Sequence, residues 1–138
     1  MKISKKLGFK AGVFLTRHDD PLGYAIGNQI EIEETIECLH GQMRPDIQEL
    51  VTKYGGYLLQ RTKKVKSMSE GAALILEALK NGQALNKFYE MIQAQGVNKE
   101  VANELCFKRN YGSVFGKKAA YTSLIRAKKS GRFNAWII

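Results

Sequence analysis

A short loop bracketed by two glycines holds the residues with the clearest chemical potential. Gly23 and Gly27 allow backbone conformations that a Cβ would forbid, and Pro21 fixes its own φ angle. A loop folded in this way can bring main-chain carbonyl oxygens together around a small ligand. Four carboxylates follow, where the start of a helix would favour negative charge: Glu31, Glu33, Glu34 and Glu37. The pattern indicates a binding turn, and the alternative is an ordinary acidic first helical turn.

The other residue types that bind metals or act as nucleophiles form no comparable pattern. Cys38 and Cys106 are far apart and lie in apolar helical stretches, so each is predicted to be a buried free thiol. The chain has two histidines, which add no ligand cluster for zinc. His18 is interpreted as a polar loop residue with no chemical role.

The elements that must position the loop begin with a short apolar run. Residues 11–16 are apolar and end at polar residues, which predicts a buried strand of an α/β sheet. Residues 17–20 then form the loop at its carboxyl end, where ligands of open α/β sheets collect. Asn28 is a candidate cap for the next helix.

Helical spacing dominates the middle of the chain. Gly55 and Gly56 fall inside one predicted helix, and their cost of about 1 kcal/mol each indicates a compensating close contact with another helix. Residues 121–127 are β-prone and precede a predicted hairpin turn into residues 132–138. The first two predicted helices cover about residues 32–40 and 45–58. A third begins with a capping box at Ser67–Glu70 and ends at Asn81-Gly82. A fourth ends at Gly96, and a short fifth is capped by Asn98.

The loop and its surroundings resemble the thymidine phosphorylase and pyrimidine-nucleoside phosphorylase family. Pro-Leu-Gly-Tyr-Ala-Ile-Gly-Asn at residues 21–28, with Glu31 and Glu34 after it, is similar to the family motif Pro-Leu-Gly-x-Ala-Val-Gly-Asn-x-Leu-Glu-Val-x-Glu-Ala. Shorter similarities continue in the same order to about residue 130. Gly55-Gly56, residues 95–97 and Leu105-Cys106 look closer to the animal branch of the family.

The resemblance implies an α/β fold and a function. Residues 1–110 would be a portion of the family's central α/β domain, a strand with packed helices. Residues 111–138 would be the truncated start of its C-terminal α+β domain, a β-hairpin. The full-length family transfers a pentosyl group from a pyrimidine nucleoside to phosphate. Its catalytic groups belong to segments that would precede Met1, so no catalytic residue is assigned, and this partial thymidine phosphorylase-like chain is expected to be inactive alone.

The resemblance also implies part of a site for a monovalent cation. Bacterial members of the family hold this ion with two main-chain carbonyls and one carboxylate of the motif. The matching positions are Leu22 and Ala25 for the carbonyls and Glu34 for the carboxylate. The remaining ligands would come from an upstream loop. No other cofactor is implied, phosphate is a co-substrate, and the homodimer of the family does not follow for this chain.

Composition leaves one alternative function open. The 138 residues carry a formal charge of +9, from 22 Lys and Arg against 13 Asp and Glu, which favours anionic partners. A non-catalytic module could bind nucleic acid through the basic residues of 61–66 and 117–132, although no RNA- or DNA-binding motif accompanies them. No apolar run approaches the roughly 20 residues of a membrane span, and no signal-peptide core follows Met1, so we expect a cytoplasmic protein.

Overall fold

The computed structural model describes residues 2–16, 21–116 and 119–131, and helices dominate these ranges. The predicted loop at residues 17–20 and the second hairpin strand at 132–138 lie outside them. No helix within the described ranges is long and apolar enough to span a bilayer. The helices of this part of the chain are α1 (Lys2–Lys6), α2 (Asn28–Leu39), α3 (Pro45–Arg61), α4 (Met68–Lys80), α5 (Gln83–Ala94), α6 (Lys99–Cys106) and α7 (Tyr111–Phe115).

The predicted strand at residues 11–16 has no regular secondary structure and no sheet pairing. Among the described residues, no backbone hydrogen bond joins these six residues to another segment. A strand requires a neighbour that completes the hydrogen-bond ladder, and an apolar run alone does not supply one. Residues 121–127 likewise have no regular secondary structure, and they are exposed. The predicted α/β class is therefore not confirmed, because the described structure is helical.

Two helices, α2 and α7, differ from what the sequence predicts. α2 begins at Asn28, and the residue at its N-cap position is Gly27 rather than Asn28. The Gly27 N–H donates to Glu31 Oε1 at 3.0 Å, so a glutamate one turn into the helix holds this end. Residues Tyr111–Phe115, which open the segment predicted to form a β-hairpin, are instead the short helix α7. The domain boundary at residue 110 stays a prediction.

Other helix starts are confirmed together with their caps. Ser67 Oγ accepts the Glu70 N–H at 3.1 Å, while Glu70 Oε2 accepts the Lys66 N–H at 2.9 Å. These bonds satisfy amide groups that the first turn of α4 leaves without helical partners. Asn98 Oδ1 accepts the Val101 N–H at 2.8 Å and caps α6 in the predicted way. α3 begins at Pro45, also as predicted.

The core lies where α2, α5 and α6 meet. Ile36 of α2 and Cys106 of α6 are fully buried. Cys38 is also buried, and both cysteines are free thiols, as predicted. Burial raises the pKa of each thiol. This core anchors α2, whose first turns carry the acidic residues next to the loop. Leu85 and Leu105 complete the buried cluster, and Leu39, Phe88, Tyr89, Ile92, Val101, Tyr111, Val114 and Phe115 pack around it.

The predicted close contact of the paired glycines is confirmed at the crossing of α3 and α4. A Cβ on Gly56 would lie 2.5 Å from the Met68 carbonyl oxygen and 3.0 Å from the Ala72 nitrogen. A Cβ on Gly71 would lie 2.7 Å from Gly56 Cα. Backbone therefore faces backbone at this crossing, and only glycine fits on both sides.

Candidate functional site

Glu34 holds the glycine-bracketed loop through its backbone amides. The Tyr24 N–H donates to Glu34 Oε1 at 2.7 Å, and the Ala25 N–H donates to Oε2 at 3.2 Å. Gly23 has a φ of 80°, a left-handed conformation that favours glycine. A Cβ at this position would also come within 3.0 Å of the Glu34 carboxylate. The glycine is thus required by both its backbone conformation and the approach of Glu34.

Arg44 holds the same loop through a hydrogen bond to one of its backbone carbonyls. Arg44 Nη1 donates to the Gly23 carbonyl oxygen at 2.6 Å, and the guanidinium carbon lies 4.6 Å from the centroid of the Tyr24 ring. Asp46 orients the guanidinium, because Arg44 Nε donates to Oδ1 at 3.0 Å and Nη2 lies 2.7 Å from Oδ2. A two-pronged pair of this kind fixes the plane of the guanidinium as well as its position.

The two contacts meet at one peptide group. The carbonyl of Gly23 and the N–H of Tyr24 belong to the same peptide bond, and a trans peptide points these groups in opposite directions. No cis peptide bond occurs in the described ranges. Arg44 therefore binds one edge of this peptide while Glu34 binds the other. Helix α2 and the start of α3 together determine how the loop is folded.

The predicted cation ligands lie in and against this loop. Within the described ranges, no hydrogen bond reaches the carbonyl oxygens of Leu22 or Ala25. Each Glu34 oxygen accepts one hydrogen bond from the loop and keeps a further lone pair. Oxygen donors of this kind suit a hard cation, so the chemistry of the three positions fits the predicted group. No cluster of three or more His, Cys, Asp or Glu side chains suited to a metal occurs in the described part of the chain.

A second polar cluster fastens the far end of α2 to the segment after α6. Glu37 Oε1 accepts the Tyr111 hydroxyl at 2.7 Å, and Oε2 accepts Arg109 Nη1 at 3.0 Å. Burial raises the pKa of Glu37, but the bonds from Tyr111 and Arg109 outweigh burial and leave it below its ordinary value of 4.5. Burial and the Glu37 carboxylate raise the pKa of Tyr111. This cluster stabilises the fold that carries the loop.

Arg44 was missed by the sequence reasoning. It occupies the N-cap position of α3, where a positive charge is unfavourable next to the helix dipole. A basic residue at a helix start therefore indicates that its side chain binds a group outside that helix. Its partner carbonyl lies 21 residues earlier.

Comparison with known proteins identifies the class to which this loop belongs. Mouse thymidine phosphorylase is 37% identical over 77% of the chain. The thymidine phosphorylase of Metamycoplasma hominis is 40% identical over 73%, and the pyrimidine-nucleoside phosphorylase of Geobacillus stearothermophilus is 30% identical over 98%, which includes the loop. No family model matches the chain. Identities to animal and bacterial relatives overlap, so they do not assign the chain to either branch.

The chain is homologous to a segment of the thymidine phosphorylases and pyrimidine-nucleoside phosphorylases, which confirms the resemblance. It spans 22%, 37% and 32% of the lengths of the mouse, Metamycoplasma and Geobacillus proteins. The chain is thus similar to part of these enzymes, and no finding favours the nucleic-acid-binding alternative.

Proposed function

We propose that this chain contributes one wall of a site for phosphorolysis of a pyrimidine nucleoside. In that reaction the bond between the sugar and the base nitrogen breaks, and a bond from the sugar carbon to a phosphate oxygen forms. The names and identities of the relatives support this assignment. The observation that carries it is the loop at residues 21–27, held at both edges of one peptide by Glu34 and Arg44.

The role of the loop in this proposal is to provide a fixed backbone surface. Phosphorolysis requires the nucleoside and the phosphate to be aligned, and a misplacement of about 1 Å can cost on the order of a hundredfold in rate. Glu34 sets the position of the amides, and Arg44 sets the opposite carbonyl. Neither is assigned to the reacting atoms, and no other described residue is assigned a catalytic role.

The loop would also contribute to a monovalent-cation site within the same proposal. Leu22 and Ala25 would supply main-chain carbonyls, and Glu34 would supply a carboxylate oxygen. A bound cation would add positive charge near the phosphate. In a Geobacillus enzyme that carries residues 21–39 of this chain, Glu34→Gln is expected to weaken rubidium binding at least about fivefold, since one carboxylate contact is lost. Titration with rubidium, followed by its NMR linewidth, measures this, with Glu33→Gln as the matched control. Equal binding by the two variants would remove Glu34 from the ligand set.

A chimera tests the proposed function directly. Residues 21–39 of this chain replace the matching segment of the Geobacillus enzyme, and phosphate-dependent loss of thymidine and of uridine is measured. The chimera is expected to keep activity, and Glu34→Gln in the chimera to reduce it at least about tenfold through misplacement of the loop. Glu33→Gln should leave the rate nearly unchanged. A folded but inactive chimera would overturn the proposal.

The 138-residue chain by itself gives a separate test of the assigned roles. Because no catalytic residue is assigned within it, we expect no phosphate-dependent loss of thymidine from the purified chain. Turnover that survives further purification, and that is abolished by a substitution in the chain, would show that catalytic groups lie within these residues.

A further inference from the structure

A groove separate from the loop lies between residues 10–14 and one face of α3. Its volume is about 260 Å³. The residues that α3 contributes lie at positions i, i+3, i+4 and i+7 and so share one helix face. They are Tyr54, Tyr57, Leu58 and Arg61.

Aromatic rings form the wall of this groove. The Phe14 ring lies 4.6 Å from the Tyr54 ring and 4.9 Å from the Tyr57 ring, measured between centroids, and the second pair is nearly perpendicular. Gly12 lets the backbone reach Tyr57, because a Cβ there would lie within 3.0 Å of the phenol. The wall is therefore a preformed aromatic surface of the kind on which a planar ring packs.

Two cations lie at the same groove. Lys10 and Arg61 both line it, and both side chains are exposed. Neither forms an ion pair with any residue in the described ranges. The Tyr54 and Tyr57 hydroxyls likewise have no hydrogen-bond partner within those ranges and can donate to a ligand oxygen. Aromatic walls combined with free cations favour a ligand that is both planar and anionic.

We propose that this groove binds a monocyclic aromatic anion. Its volume lies just below the roughly 300–1,000 Å³ typical of small-molecule sites, which limits the ligand to about one ring. The ring packs against Phe14 and Tyr57, and its carboxylate or phosphate lies between Lys10 and Arg61. Arg61 can bind either anion with two parallel hydrogen bonds. This site shares no residue with the loop at 21–27, so it stands independently of the phosphorolysis proposal.

Titration of the 138-residue chain by amide NMR tests the proposal. Phenyl phosphate and benzoate are the two probes, and they distinguish a phosphate ligand from a carboxylate ligand. At least one is expected to bind saturably, with shifts confined to residues 10–14 and 54–61. Inorganic phosphate and benzyl alcohol should each bind at least about tenfold more weakly, because one lacks the ring and the other lacks the charge.

Matched variants locate the anion. Lys10→Gln and Arg61→Gln are each expected to weaken binding about fivefold, in line with a partly exposed ion pair. Lys64→Gln removes the same charge from an exposed residue that does not line the groove and should leave binding unchanged. No saturable shift with either probe, equal weakening by Lys64→Gln, or equal binding of benzyl alcohol would overturn the proposal.

Discussion

The guanidinium carbon of Arg44 lies 4.6 Å from the centre of the Tyr24 ring, and Arg44 also donates to the carbonyl next to that residue. A cation over an aromatic face and a charged hydrogen bond therefore reinforce each other at one side chain. The ring of Tyr24 is largely exposed, so the guanidinium, and not burial, is what orders it.

Replacement of this arginine should loosen the loop before it affects the core. Arg44→Ala removes the bond to Gly23 and the contact with Tyr24, and we expect a loss of about 1–2 kcal/mol in unfolding free energy. Arg44→Lys should recover part of this, because it keeps the charge but not the two-pronged pair with Asp46. Chemical denaturation measures the change, and Arg126→Ala, at an exposed residue outside the helices, is the control. An equal effect of the control would remove the special role of Arg44.

Neutralising Glu34 should release two specific amides. Glu34→Gln leaves one acceptor oxygen where the carboxylate had two, so at least one of the bonds from Tyr24 and Ala25 is lost. Amide hydrogen exchange at these two residues is expected to accelerate at least about fivefold, in keeping with a lost charged hydrogen bond near the surface. Glu33→Gln, at the preceding position of α2, should not change the exchange of these amides. Unchanged exchange in Glu34→Gln would mean that the loop is held by other contacts.

The close crossing of α3 and α4 predicts that alanine is costly at Gly56. The same substitution should be tolerated at Gly112, a glycine of α7 outside the crossing. Gly56→Ala places a methyl group against backbone atoms of α4 that cannot move aside, and we expect a net loss of about 2 kcal/mol or more, despite a gain near 1 kcal/mol in helix propensity. Gly112→Ala in α7 meets nothing within 4 Å and should be neutral or stabilising. Thermal denaturation of both variants measures this. A neutral Gly56→Ala would contradict the close crossing.

The Glu37 cluster predicts a defined pH dependence. The pKa of Glu37 in the folded chain lies below the ordinary value of 4.5, so the folded state favours the charged form. Its stabilising contribution is complete above the unfolded pKa near 4.5 and is lost as the pH falls through the lower folded value. Glu37→Gln should therefore cost about 1 kcal/mol at neutral pH, from the bonds to Tyr111 and Arg109, and progressively less in acid.

Denaturant unfolding from pH 7 to pH 3 measures this difference. Glu77→Gln, at an exposed position of α4 outside its first turn, is the control and should have little effect at neutral pH. A cost of Glu37→Gln that stays constant, or grows, as the pH falls would contradict the assigned direction of the pKa shift.

Local signals in the sequence were reliable where the structure itself is local. Ser67 and Asn98 cap the helices they were expected to cap, since a cap depends on residues only three positions apart. The family motif from Pro21 was also sufficient to identify the relatives, because it is long and depends on residue types alone. Even locally, Asn28 lost its expected role to Glu31, because a glutamate in the first turn reaches back to Gly27.

Most non-local features could not be predicted in this way, and the close helix contact at Gly56 is the exception. Residues 11–16 have the composition of a strand, but a strand exists only with a pairing partner. The contacts of Arg44 with Gly23 and of Glu37 with Tyr111 join residues 21 and 74 positions apart. Such contacts depend on how the helices are arranged, and periodicity in the sequence does not determine that arrangement.

The peptide between Gly23 and Tyr24 is a small dipole with a carboxylate at its positive end and a guanidinium at its negative end. Rotating this plane by half a turn would place like partial charges against both side chains at once, so the two orientations differ by the sum of two electrostatic terms. The loop is thereby committed to a single orientation of that plane.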